Sequence, residues 1–305
     1  MNGKTAFSIL KQTITEWSED RAPMLGAALA YYTVFSLAPL VVLAIAIAGF
    51  VLGHEAAQGQ VFEQVRVLIG DQGAMAIQDM VRNAHANPST GIFATVVSVV
   101  TLLFGASGVF GQLQTSLNII WGVEPKPGRG ITGIVRDRFL SFTFILVVCF
   151  LLLVSLLLSA AITFVSTWVG GIATGTEILV QGINIALSLG VVTLLFALIY
   201  KFLPDAHVAW RDVWIGAFLT AVLFSIGKFA LGLYLGSSSV SSSFGAAGSL
   251  IVLLVWVYYS AQILFLGAEF TQVYANSVGT PVRPSSNAIA VESVKHTVPE
   301  QTFRA

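Results

Sequence analysis

The stretch "SIGKFALGLYLGSSSVSSSFGAAGS", residues Ser225 to Ser249, decides how this chain is read. Its first half continues an apolar run that begins near Val213, yet that run contains Lys228. Its second half places two Ser-Ser-Ser blocks between glycines, after which a further apolar run begins. A membrane-crossing helix needs roughly 20 predominantly apolar residues, and an ionised group inside one is costly. The stretch therefore reads as the end of one membrane span, a polar turn, and the start of the next.

The same pattern recurs in both directions. Six apolar runs are long enough to cross a bilayer, at about 24–53, 92–118, 139–168, 178–202, 213–235 and 246–273. Composition agrees: of 305 residues 56% are hydrophobic and 10% charged, where soluble domains carry about 25% charged residues. Such a chain cannot coat a globule in polar groups. The runs are too continuously apolar for barrel strands, so helices are expected. The fold class is thus an all-α polytopic membrane bundle of six transmembrane helices with an amphipathic helical outer loop. Residues 1–23 read as a cytoplasmic amphipathic segment, 24–275 as the transmembrane domain with its outer loop at about 54–91, and 276–305 as a disordered cytoplasmic tail.

Orientation follows from the basic residues. Lys4, Lys11 and Arg21 precede the first span, and Lys126, Arg129, Arg136 and Arg138 lie between the second and third. Lys201 and Arg211 flank the turn between the fourth and fifth, and Arg283, Lys295 and Arg304 follow the sixth. The opposite side holds only Arg66 and Arg82, so the positive-inside rule places both termini in the cytoplasm. The first apolar run is too long for a signal-peptide core and should stay as an anchor. A single cysteine, Cys149, rules out an intramolecular disulfide.

Smaller segments have their own periodicity. Phe7, Leu10, Ile14 and Trp17 share a helical face, with Glu16, Glu19 and Asp20 off it. We read this stripe as docking onto the bundle, with a helix lying in the cytoplasmic interface as the alternative. "VFEQVRVLIG" and "AMAIQDMVRNA" in the outer loop read as two short amphipathic helices, a cap or an interface layer. The tail mixes Pro, Ser, Asn, Thr and Val without a period and reads as disordered.

The polar residues inside the spans are the candidates for function. Lys228 lies about 10 Å of helix from the outer end of its span. It either snorkels to the interface or meets an anion in an interior cavity. Ser237, Ser238, Ser239, Ser241, Ser242 and Ser243 follow it, and hydroxyls beside a helix N-terminus can line an anion site. A flexible linker is the competing reading. In the sixth span Tyr258, Gln262, Glu269 and Gln272 share one face, which reads as a stripe turned toward the bundle interior or a wet cavity, with solvation of Glu269 at the cytoplasmic end as the alternative. Glu269 is the one acid well inside a span, but helix rise puts it on the order of 15 Å from Lys228, too far for an ion pair. Tyr32 and Ser36 share a face of the first span with Ala28 and Pro39 and form either a packing seam or part of a polar path. Arg129, Arg136 and Arg138 suit contact with anionic headgroups.

Other chemistries lack their signatures. His54, His85, His207 and His296 have no metal-ligand spacing, and there is no phosphate loop, no GxSxG and no HExxH. Net charge is zero, with no basic face for nucleic acid. No catalytic residue, metal or cofactor is expected, and the chain is read as a non-enzyme.

Three stretches together, "AALAYYTVFSLAPLVVLAIAIAG" (Ala27–Gly49), "FLPDAHVAWRDVWIGAFLTAVLFSIGKFALGLYLG" (Phe202–Gly236) and "SSFGAAGSLIVLLVWVYYSAQILFLGAEFTQVYA" (Ser242–Ala275), resemble the YihY/BrkB family of bacterial inner-membrane proteins. With "GRGITGIVRDRFLSF" the likeness covers nearly all of Ala27 to Ala275. The resemblance implies six membrane helices, a link to virulence and the cell envelope, and a role in moving envelope lipid. It implies recurrent Lys and Glu positions at Lys228 and Glu269, with no settled role. It also brings the old label ribonuclease BN, which these residues do not support.

The reading that follows is a multi-pass protein of the bacterial inner membrane, a transporter or flippase-like protein for an anionic, lipid-like envelope substrate. The alternative is a non-transporting envelope scaffold or virulence-associated membrane protein. Membrane lipids are the expected partners, and nucleic acid is not one. Homo-oligomerisation is left open.

Overall fold

The computed structural model describes residues 3–53, 108–127, 176–237 and 248–291, with short pieces between 55 and 78. The architecture is helical. Helix α1 spans Gly3–Glu19 and α2 spans Ala22–Leu52. Residues 108–120 form α3. Helix α4 spans Thr176–Phe202, α5 Trp210–Ser237 and α6 Gly248–Ser277. Three helices among the described residues are long and apolar enough to cross a membrane, at Gln181–Phe202, Trp210–Leu231 and Leu250–Ser277. They correspond to the last three expected spans. The expected span at 139–168 and most of that at 92–118 lie outside the described residues.

The core forms where α2, α3, α4, α5 and α6 meet, around Leu25, Leu117, Phe196, Tyr200, Ala217 and Phe265. Helices α5 and α6 run antiparallel along a seam of small residues. A Cβ on Gly216 would collide with Thr271, and one on Gly267 would collide with Thr220 and Tyr200. Glycine is required there because the helices approach too closely for a side chain. The hydroxyls in the seam are satisfied without water. Thr220 donates to the Gly216 carbonyl at 2.7 Å and Thr271 to the Gly267 carbonyl at 2.6 Å. The Tyr200 hydroxyl donates to the Leu264 carbonyl at 2.7 Å.

The chain enters the bundle through a tight turn. Asp20 N–H closes on the Glu16 carbonyl at 2.8 Å, and Arg21 adopts a left-handed conformation with φ 54°. Pro23 then sits in the first turn of α2, where its missing N–H costs nothing. This reversal lays α1 back against α6. The docking face differs from the expected one. Ile9 and Thr13 are buried, whereas Phe7, Leu10 and Ile14 are 72%, 54% and 55% exposed. Of the expected stripe, only Trp17 packs on the core. The Thr13 hydroxyl is spent on the Ile9 carbonyl at 2.9 Å.

The start of the expected disordered tail is ordered. Strand β1 (Val123–Pro125) pairs antiparallel with β4 (Ala288–Ala290), and β2 (Ala206–His207) pairs with β3 (Arg283–Pro284). Composition alone points to disorder, but backbone pairing with two distant loops supplies the order. Lys126 Nζ donates to the Ser286 carbonyl at 2.8 Å, and Ser285 N–H donates to the Asp205 carbonyl at 2.9 Å. Asp205 itself accepts from Asn118 Nδ2 at 3.1 Å. Residues 276–291 therefore strap together the ends of α3, α4, α5 and α6. Residues 292–305 lie outside the described set.

The described residues between 55 and 78, in the expected outer loop, are helical. Val61 and Phe62 pack against Val41, Ile45 and Leu253, so this part rests on α2 and α6.

Candidate functional site: a carboxyl pair between α1 and α6

Helix α6 carries the polar stripe. Gln262 and Glu269 are seven residues apart, two turns and about 10 Å along one face. The start of α2 covers that face at Gln262, where Gly26 lies so close that a Cβ would meet the side-chain amide. The α1–α2 turn covers it at Glu269, where the Asp20 carboxyl comes within hydrogen-bonding reach of the Glu269 carboxyl. Tyr258, on the same face one turn further out, is 38% exposed.

Glu269 is 1% exposed, about two turns before the end of a helix long and apolar enough to cross a membrane. The charged groups acting on it are Asp20 and Glu16, both acids. A hydrogen bond between two carboxyls requires a proton between them. The other oxygen, Glu269 Oε1, is buried with no hydrogen-bond partner among the described residues, and so are both amide atoms of Gln262. Buried polar groups are nearly always paired, so an unpaired set on one helix face calls for an explanation.

Asp20 is perturbed in a consistent way. Burial raises its pKa from 3.8 to about 6, helped by the negative charges of Glu16 and Glu19, while the hydrogen bond with Glu269 pulls it partly back. This pair is what the sequence does not announce. Glu16, Glu19 and Asp20 read there as the polar edge of an amphipathic helix. The available signal is positional, since a buried acid near the C-terminal end of α6 needs a partner and α1 packs on α6.

The other candidates are placed as follows. Lys228 is exposed on α5 beside Ile226 and Phe229, themselves 62% and 69% exposed. Its neighbour Gly227 abuts Tyr259 and Ile263 of α6, which puts Lys228 well away from Glu269 along the helices. Ser36 is buried and Tyr32 is half exposed, and both face Gly108 of α3, where a Cβ would lie 3.5 Å from Ser36 Oγ and 3.6 Å from Tyr32 Cδ1. Gln262 and Glu269 thus face α1 and the start of α2, while Tyr32 and Ser36 face α3. Ser237 ends α5. Ser238, Ser239, Ser241, Ser242, Ser243, Arg129, Arg136 and Arg138 lie outside the described residues. No group of three or more His, Cys, Asp or Glu able to hold a metal occurs among the described residues.

Long apolar helices with a buried polar stripe define the class, a helical membrane protein. The particular family follows from comparison: the chain belongs to the BrkB family, whose model, described as "Virulence factor BrkB", matches residues 13–289. Among its relatives is a UPF0761 membrane protein of Psychrobacter sp. strain PRwf-1, 25% identical over 301 residues, covering 96% of this chain and 53% of the relative. Another, from Ralstonia nicotianae, is 28% identical and covers 82% of this chain and 55% of the relative. The chain spans about half the length of these two curated relatives. A third, from Alteromonas mediterranea, is 27% identical over 267 residues, covering 85% of this chain and 84% of the relative. No solved structure matches the chain significantly.

Proposed function

We propose that this protein is a six-span transporter of the bacterial inner membrane, flippase-like, moving an anionic lipid-like envelope substrate, with both termini in the cytoplasm. It works without catalysis. The observation that carries this reading is the buried stripe of Gln262 and Glu269 inside α6, with polar atoms that have no hydrogen-bond partner among the described residues. Purely structural membrane helices hide such atoms in hydrogen bonds, and polar groups within spans mark substrate or ion pathways. In this reading Lys228 and the serines after Ser237 receive the anion at the outer end. Tyr258, Gln262 and Glu269 line the inner half of the path.

The test is retention of lipid. Wild type and Lys228→Gln, purified in mild detergent, are compared by native mass spectrometry. An anionic phospholipid held by the wild type and lost by the variant supports the assignment. The same lipids on both, or none on either, would remove Lys228 from the site and favour the scaffold reading.

A further inference from the structure

We infer that Asp20 and Glu269 form a proton-binding site that fastens α1 to α6 while it is occupied. The geometry has two independent parts. One is the approach of the Asp20 and Glu269 carboxyls to hydrogen-bonding reach across the α1–α6 contact, where a bond between two carboxyls needs a shared proton. The other is Glu269 Oε1, buried and unpartnered on a different helix from the acids it faces. A structural hydrogen bond to Asp20 would be made equally well by a glutamine. A carboxyl adds the ability to release the proton.

The groups around the pair come from three elements. Helix α1 and its turn supply Glu16, Glu19 and Asp20, and the exposed Arg21 precedes α2. Helix α5 packs on α6 at this level through residues near Gly216 and Thr220, and between Trp214 and Val222 it carries no titratable side chain. Loss of the proton therefore leaves two adjacent carboxylates with Glu16 beside them. Like charges at that separation in a poorly hydrated site repel strongly. The repulsion acts across the α1–α6 contact, so deprotonation loosens α1. The proton passes to and from cytoplasmic water through Asp20, which is only half buried. The raised pKa of Asp20 agrees with this direction.

The site thus couples the position of α1 to cytoplasmic pH, whatever the protein carries. One linked proton changes the opening constant of α1 by about tenfold per pH unit across the titration. The test is hydrogen exchange of the α1 amides in the full-length protein in detergent, corrected for intrinsic exchange, over roughly pH 4 to 7. Opening should grow with pH in the wild type by up to that factor per unit. Glu269→Gln and Asp20→Asn each prevent two facing carboxylates, so both should flatten the profile with α1 still docked. Asp20→Asn lies in the turn and provides the answer if the α6 variant does not fold. A flat wild-type profile, or an undiminished slope in the folded variants, would overturn the inference. Lipid retention is not read in this experiment, so its failure leaves the transport reading standing.

Discussion

The start of α5, where it meets the turn from α6 to the tail, and the junction between α1 and α6 each contain a deeply buried acid, and the two acids live in opposite surroundings. Asp212 is 2% exposed and Glu269 is 1% exposed. Asp212 stands in the first turn of α5, where the helix dipole favours a negative charge. Its Oδ2 accepts the Thr280 N–H at 2.9 Å, and Gly279 presses against the carboxylate. Its charge thus faces a backbone donor and a helix N-terminus. Glu269 lies inside a span, meets another carboxyl, and keeps an oxygen without a partner. Equal burial therefore conceals different roles. Asp212 is part of the strap that orders the tail, whereas Glu269 holds a proton and lines the proposed path.

Both regions hang on the α5–α6 seam, so the largest effect comes from filling it. Gly267→Val forces a branched side chain against Thr220 and Tyr200. A cost of about 3 kcal/mol is expected, from overpacking a close contact. Thermal melting in detergent should show it, together with lower yield, and an unchanged melt would mean that the seam yields easily.

Next in size is Asp212→Ala. It strips the Thr280 N–H of its acceptor and should destabilise by about 1–3 kcal/mol, the cost of an orphaned buried donor. Limited proteolysis should then cut between Thr280 and Val291, with cleavage that does not follow pH around neutrality. If the tail stays protected, the strands rather than the acid hold it.

Glu269→Gln should do the reverse, changing stability by less than about 1 kcal/mol while altering the response to pH. The sign follows from Asp20. Its folded-state pKa is raised from 3.8 to about 6, so the docked state prefers the protonated form. Docking is strongest below the ordinary value and weakens as pH rises toward about 6. Melting measured across that window should show the decline in the wild type and much less of it in the variant, where an amide donor stabilises the Asp20 carboxylate.

The smallest effect on folding is expected from Lys228→Gln. The residue is exposed on α5, and substitutions at such sites usually stay within about 0.5 kcal/mol. Its consequence should appear in bound lipid alone.

How much of this is legible in the sequence depends on distance along the chain. The last three spans are readable because hydropathy is local, and α4, α5 and α6 begin and end within a few residues of the expected bounds. The polar face of α6 is readable for the same reason, since helical spacing alone puts Gln262 and Glu269 together. The tail is not, because β4 owes its order to β1, far away in the chain. The rotation of α1 is not readable either. An apolar stripe shows that a helix is amphipathic, but the choice of Ile9 and Thr13 over Phe7 and Leu10 depends on the turn at Asp20 and Arg21. The partner of Glu269 is hidden by that same rotation.

The most direct test of the central claim, that Glu269 works in transport and is not merely packed, is lipid transfer in reconstituted vesicles. Wild type and Glu269→Gln, matched for thermal stability, are given a fluorescent anionic phospholipid in one leaflet, and its movement to the other is followed. The account predicts transfer by the wild type and its loss in the variant. Transfer at the wild-type rate by Glu269→Gln would contradict it.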